Sequence, residues 1–126
     1  MNGNEKAAEA HKQAARAVTD VSGVPDYTVR EFAPRAAEYC LLIPIINEGA
    51  RIARELARAQ AAGVDKQVDI ILCDGGSTDG SMAPEKLAGE GVNTLLTKTG
   101  PGKQGAQLRM GLHFALERGY AGILTV

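Results

Sequence analysis

Short apolar runs alternate with amphipathic segments from residue 39 onward, and this alternation predicts strands that alternate with helices. Nearly continuous apolar runs bounded by turn residues are typical of strands buried on both faces of a parallel sheet. The short connections predict an α/β fold, in which a mostly parallel sheet has flanking helices and right-handed crossovers. We predict strands over residues 39–44, 68–73, 92–98 and 122–126, and helices over residues 49–62, 84–88 and 104–118.

The two longer predicted helices have recognisable faces and ends. In the first, an apolar face lies opposite an arginine-rich face whose spacing is typical of a solvated surface. Asn47 or Glu48 is predicted to cap its start, and Gly63 and Gly119 are predicted to end the two helices. The second helix has one apolar stripe, formed by Leu108, Leu112 and Leu116.

The chain before residue 39 is predicted to be a lead-in rather than part of the alternating unit. Residues 1–22 are rich in alanine and mixed in charge, which predicts a marginal helix with His11 exposed to solvent. A breaker cluster then precedes a short edge strand over residues 27–32. We therefore divide the chain into residues 1–38, an N-terminal helix and lead-in, and residues 39–126, the α/β portion.

The apolar sequence of the last predicted strand leads us to expect a buried strand, and the sequence stops within it at residue 126, so we expect this chain to be the N-terminal part of a larger domain. A small, complete four-stranded sheet is the alternative.

Composition excludes several classes of protein. The formal net charge is −1 and tryptophan is absent, which argues against a basic nucleic-acid surface and against a base-stacking platform. No apolar run approaches the roughly 18 residues of a membrane span, and the N-terminus has no apolar signal core, so we expect a cytoplasmic location. Cys40 and Cys73 fall at opposite ends of neighbouring strands, too far apart for a disulfide. We predict that they are small buried residues, and we find no zinc-ligand spacing.

Candidate binding chemistry concentrates after the second predicted strand. Asp74 ends that strand, and Gly75, Gly76 and Ser77 follow it. The carboxyl ends of strands in open α/β sheets are where ligands bind. The Asp74 carboxylate could accept a hydrogen bond from the ring N–H of uracil or guanine. Alternatively it could form an Asx-turn with the N–H of Gly76 or Ser77, and position alone leaves both open.

A glycine-rich loop precedes the last predicted helix. Residues 100–105 match G-x-G-x-x-G, the dinucleotide-binding fingerprint, but they follow the third strand rather than the first, and Pro101 stiffens the turn. A phosphate-binding Walker loop would require Ser or Thr where Gln104 stands. Lys103 precedes a helix N-terminus, where a bound phosphate would be favoured; a solvated loop lysine is the alternative.

Three segments in this order resemble the start of a family 2 glycosyltransferase with the GT-A fold, in the style of polyprenol-phosphate mannose and glucose synthases. The segments are residues 41–49, 69–81 and 102–116, and the resemblance spans residues 39–126. It implies that residues 39–126 are the N-terminal, Rossmann-like, nucleotide-binding half of a GT-A domain.

The resemblance also implies a set of donor-binding residues. The family's second aspartate is replaced here by Gly75, which leaves the base preference open. Its Gly-Lys-x-x-Ala segment is matched loosely by Gly102, Lys103 and Ala106, with Gln104 as an apparent extra residue or substitution. Asp74 would contact the base, while Lys103 and Arg109 would face the sugar-phosphate side. The implied nucleotide-sugar-binding residues are Pro44, Ile45, Asn47, Glu48, Asp74, Gly76, Ser77, Lys103 and Arg109.

The implied activity is transfer of a sugar from a UDP- or GDP-sugar to an unidentified acceptor, with a polyprenyl phosphate as one candidate. The family holds Mg²⁺ or Mn²⁺ with an acidic motif just after the fourth strand, so we expect no metal ligand and no catalytic residue in this chain, and no activity from it alone. Membrane association through other segments and a homo-oligomer both stay open. The alternatives are a dinucleotide-dependent oxidoreductase domain and a non-catalytic, oligomeric nucleotide-binding module.

Overall fold

A computed structural model describes residues 15–126, which form one six-stranded mixed sheet with three α-helices. The predicted α/β class is confirmed. The strands are β1 (Arg16–Val18), β2 (Tyr27–Glu31), β3 (Tyr39–Ile45), β4 (Asp69–Asp74), β5 (Val92–Lys98) and β6 (Gly122–Thr125). The helices are α1 (Ala50–Ala61), α2 (Pro84–Ala88) and α3 (Gln104–Glu117), and a short 3₁₀ helix spans Val64–Lys66.

The strand order across the sheet is β1-β2-β5-β4-β3-β6. The pairs β3–β4, β4–β5 and β3–β6 are parallel, whereas β1–β2 and β2–β5 are antiparallel. All six residues of β4 are buried, as its apolar sequence predicts for a strand between two parallel neighbours. Because β4 and β6 flank β3 on opposite sides, the order of the parallel strands reverses beside β3. Ligands of open α/β sheets bind at such reversals, outside the carboxyl ends of the strands.

Two apolar clusters, one on each face of the sheet, form the core. On one face α3 packs over the sheet through Met110, Phe114 and Ala115. On the other face α1 and α2 bury Ile52, Leu56 and Leu87. The sheet is therefore a middle layer between helices.

The apolar stripe predicted for α3 is not the face that packs on the sheet. Leu112 and Leu116 are 40% and 70% exposed, respectively. A Cβ atom on Gly111 would lie 2.7 Å from Cys73 Sγ, so the helix approaches the sheet most closely along its small residues. The buried residues of this helix are Ala106, Gln107, Met110, Gly111, Phe114 and Ala115.

The predicted N-terminal helix is wrong over its last part, where residues 16–18 form β1. This strand pairs with β2 in antiparallel register after a turn in which Asp20 and Gly23 have positive φ. Val18 packs against the core cluster beneath α3, and that packing outweighs the helix propensity of the neighbouring alanines. Because β1 covers its outer side, β2 is not the edge strand that we predicted. The rest of the predicted helix, with His11, lies outside the described residues.

Other local predictions are confirmed. Gly63 and Gly119 follow their helices with φ near +75°, as glycines that end helices do. Cys40 and Cys73 are buried, and neither forms a disulfide in the described part of the chain. Burial raises the pKa of Cys40 to about 11 and that of Cys73 to about 12. None of the helices within residues 15–126 is long and apolar enough to cross a membrane.

Candidate functional site

A cavity of about 380 Å³ opens at the carboxyl ends of β3, β4 and β5, beside the N-terminus of α3. It lies at the carboxyl-end edge of the parallel strands, which is the edge at which open α/β sheets bind ligands. Its walls combine backbone, apolar side chains and charged groups. The lining residues are Pro44, Ile45, Ile46, Glu48, Gly75, Lys98, Gly102, Lys103, Gln104 and Gln107.

Two loops that lie about 30 positions apart in the sequence are joined at one side of this cavity. The backbone N–H of Asn47 donates to Ser77 Oγ (2.9 Å), and Asn47 Oδ1 accepts a hydrogen bond from the N–H of Thr78 (2.7 Å). Asn47 has a φ of 47°, a left-handed conformation that asparagine tolerates better than most residues. The loops after β3 and β4 therefore form one unit.

Asn47 and Glu48 do not cap α1, contrary to the prediction. The N-cap position belongs to Gly49, and no side chain of the described residues caps it. The Asn47 side chain is instead used by Thr78. The Glu48 carboxylate lies 4.0 Å from the Arg51 guanidinium and faces the cavity.

Asp74 is engaged by its own loop. Its side chain is 2% exposed, and Oδ1 accepts hydrogen bonds from the Ser77 N–H (3.0 Å) and from the Ser77 hydroxyl (2.6 Å). Two short donors compensate for burying the carboxylate. The sequence left open whether Asp74 binds a base or forms an Asx-turn. In the structure it forms the turn, with Ser77 as the donor. Asp74 is not among the residues that line the cavity.

Asp79 continues the same network on the outer side of the loop. Its carboxylate accepts hydrogen bonds from the Ser81 hydroxyl (2.5 Å), the Ser81 N–H (3.0 Å) and the Gly49 N–H (3.0 Å). The hydrogen bonds from Ser81 are the largest cause of a lowered Asp79 pKa. Asp79 thereby anchors the start of α1 to the loop after β4.

Two lysines make one wall of the cavity cationic. Lys98 ends β5, where its Nζ donates to the Gly100 carbonyl (2.8 Å), and Lys103 occupies the N-cap position of α3. The first turn of α3 has no acidic residue, so its N–H groups and dipole add to the positive potential. Gly102 permits this approach, because its φ is +118° and a Cβ there would lie 2.5 Å from the Ala106 Cβ. The combination suits an anion.

Gln107 is a cavity residue that sequence reasoning missed. Its side-chain amide donates to the Ile45 carbonyl (2.8 Å) and to the Cys73 carbonyl (2.9 Å), so it ties α3 to the ends of β3 and β4. It is 5% exposed. The sequence does place Gln107 on the same side of the helix as Met110 and Phe114. The leucine stripe, however, predicted that a different face of the helix packs on the sheet.

The predicted site residues fall into three groups. Arg109 lies apart from the cavity lining, because its Nε donates to the Gly23 carbonyl (3.0 Å) and thereby ties α3 to the turn before β2. Gly76 has a φ of +108° in the loop after β4. The residues that line the cavity are Pro44, Ile45, Glu48 and Lys103, and those that adjoin it, at the end of β4 or in the two joined loops, are Asn47, Asp74, Gly76 and Ser77.

The divalent cation that the resemblance implies does not fit the residues described. Within residues 15–126, His, Cys, Asp and Glu side chains form no group of three that could hold a metal ion. The carboxylates of Asp74 and Asp79 already accept hydrogen bonds from serines of their own loop. No chemical step is therefore assigned to a metal held by these residues.

Comparison of the chain with protein-family models, with curated proteins and with solved structures found no match.

Proposed function

We propose that residues 39–126 are the donor-binding part of a family 2 glycosyltransferase with the GT-A fold, and that the cavity holds the nucleoside diphosphate of a UDP- or GDP-sugar. One observation carries the proposal. Pro44, Ile45, Glu48 and Lys103 are separated by up to 59 positions, yet all four line one cavity. These four are among the nine residues that the resemblance implies for donor binding.

The charged side chains that line the cavity favour the diphosphate on balance, because the two lysines, Lys98 and Lys103, outweigh the single carboxylate of Glu48. Lys98 and Lys103 lie beside the α3 N-terminus, where a lysine alone is unfavourably placed with respect to the helix dipole. An anion between the lysines and the helix N–H groups reverses that effect, since it pairs with both. During transfer, the bond between the sugar and the diphosphate breaks and negative charge grows on the leaving group. Lysines already in place stabilise that charge.

The proposal assigns the binding of the acceptor and its attack on the sugar to no described residue. The acceptor oxygen forms the new bond to the sugar, and the resemblance implies a polyprenyl phosphate as one acceptor class. A cytoplasmic position beside a membrane accords with such an acceptor. The parallel arrangement of β3, β4, β5 and β6 supports the GT-A assignment, because the cavity opens at the carboxyl ends of β3, β4 and β5, the edge at which open α/β sheets bind ligands.

Calorimetric titration of the purified chain with UDP, GDP and NAD⁺ tests the proposal. We expect UDP or GDP to bind more tightly than NAD⁺. Lys103→Met should weaken diphosphate binding by about 1–2 kcal/mol, since it removes a charge-assisted contact. The matched control is Lys86→Met, which removes an exposed lysine on α2 and should leave the affinity unchanged.

Three results would contradict the proposal. Binding of NAD⁺ alone would favour the dinucleotide-dependent oxidoreductase. Binding of none of the three would favour a non-catalytic assembly module. Equal losses in both lysine variants would place the diphosphate outside the cavity.

A further inference from the structure

Both N–H donors of the Gln107 side chain are used within the protein. A primary amide has two N–H donors and one carbonyl oxygen. Gln107 Nε2 donates to the carbonyls of Ile45 and Cys73 at 2.8 and 2.9 Å. These two bonds set the orientation of the amide, with its nitrogen toward the strand ends.

The carbonyl oxygen of the same amide has no partner. Within residues 15–126, no N–H or O–H group donates to Gln107 Oε1. The side chain is nine-tenths buried, yet this oxygen is not among the enclosed, unpartnered atoms of the described residues. Gln107 lines the cavity, so this unpartnered acceptor belongs to a side chain at the cavity wall.

Gly75 makes room for this amide. A Cβ atom at position 75 would lie 3.0 Å from Gln107 Cδ and 3.2 Å from Oε1, closer than ordinary contacts. Gly75 also stands where the resemblance places a second aspartate. Glycine at this position and glutamine at position 107 therefore form a matched pair, in which the glutamine amide occupies the space that a side chain at position 75 would need.

We propose that Gln107 Oε1 accepts the ring N–H of the donor base, which is uracil or guanine. This inference rests on the proposed function and names the side chain that recognises the donor base. Asp74, the acceptor expected from the sequence, is instead held by Ser77. Gln107 offers the free acceptor beside the same strand end. Cytosine lacks a ring N–H at the corresponding position, so it lacks the donor that Oε1 requires.

Methylated nucleotides separate this role from a purely structural one. The ligands are UDP and N3-methyl-UDP, with GDP and N1-methyl-GDP as the second pair, titrated calorimetrically into the wild-type chain. We expect methylation to weaken binding by roughly 3- to 10-fold, the contribution of one hydrogen bond. In Gln107→Met the two members of a pair should bind alike. A structural role would weaken both members equally and preserve their ratio.

Gly75→Ala is a second variant that keeps Gln107 in the chain. The backbone at Gly75 is not in the left-handed region, so alanine acts there by pushing the amide rather than by straining the chain. It should also abolish the discrimination between the methylated and unmethylated nucleotides.

Equal affinities of wild type for both members of each pair would overturn the inference and leave the proposed function standing. Discrimination retained in Gln107→Met would overturn the inference as well. Binding of neither UDP nor GDP to wild type would overturn the proposed function, and the inference with it.

Discussion

Ser77 holds Asp74 with its backbone and its side chain at once. Its N–H and its hydroxyl both donate to Asp74 Oδ1, at 3.0 and 2.6 Å. The Ser77 hydroxyl oxygen in turn accepts the N–H of Asn47 from the loop after β3. A buried carboxylate at the end of the central strand therefore organises both loops beside the cavity.

Asp74→Asn should destabilise the fold. The amide oxygen can still accept from Ser77, but the charge that strengthens both hydrogen bonds is lost. We expect the free energy of unfolding to fall by about 1–2 kcal/mol in urea denaturation. Glu38→Gln is the control, because Glu38 is exposed and neutralising it should change stability by less than about 0.5 kcal/mol. Equal stabilities for Asp74→Asn and wild type would show that the charge of Asp74 does not stabilise the fold through Ser77.

Ser81→Ala should raise the pKa of Asp79. Hydrogen bonds from Ser81 are the largest cause that lowers this pKa below its ordinary value of 3.8, so removing the hydroxyl moves the pKa back toward that value. Because the folded-state pKa is below the unfolded one, the carboxylate contributes stability above the unfolded pKa and loses it as the pH falls through the folded pKa. The variant should therefore show a weaker acid dependence of stability below about pH 4.

Carbon-detected NMR titration of the Asp79 carboxyl group measures this change directly. An unchanged Asp79 titration in Ser81→Ala would contradict the assigned cause.

Two glycines of α3 should respond oppositely to alanine. Gly111→Ala places a Cβ 2.7 Å from Cys73 Sγ and 3.0 Å from Leu42 Cδ1, so overpacking should lower stability by about 1–3 kcal/mol. Gly105→Ala meets only an ordinary contact, 3.5 Å from Arg109 Nη1, and should raise stability by roughly 0.5–1 kcal/mol through helix propensity. Thermal denaturation of both variants checks the pair. Stabilisation by Gly111→Ala would mean that α3 does not sit this close to the sheet.

The regular elements could be predicted because their signals are local. The apolar run of β4, the amphipathic pattern of α1 and the glycines after α1 and α3 each act within a few residues. Strand β1 could not be predicted in this way. Its pairing with β2 and the packing of Val18 are tertiary effects that outweigh the helix propensity of the local sequence.

The candidate site was partly predictable for a similar reason. Pro44 and Lys103 fall at strand and helix ends, and the carboxyl edge of the sheet brings such ends together. The bonds of Asn47 to Ser77 and Thr78 join segments about 30 positions apart, for which the sequence has no periodic signal. Gln107 depends on the exact rotation of α3, which small residues rather than leucines determine.

Backbone NMR of the chain during titration with UDP and GDP tests the central claim most directly. The account predicts that amide signals of Ile45, Ile46, Lys103 and Gln107 shift with a common dissociation constant, while those of α2 stay unchanged. Lys103→Met should increase that dissociation constant, while the amide signals of the same residues still shift. Saturating nucleotide that shifts none of these signals, or that shifts signals elsewhere in the fold alone, would contradict a donor-nucleotide site in this cavity.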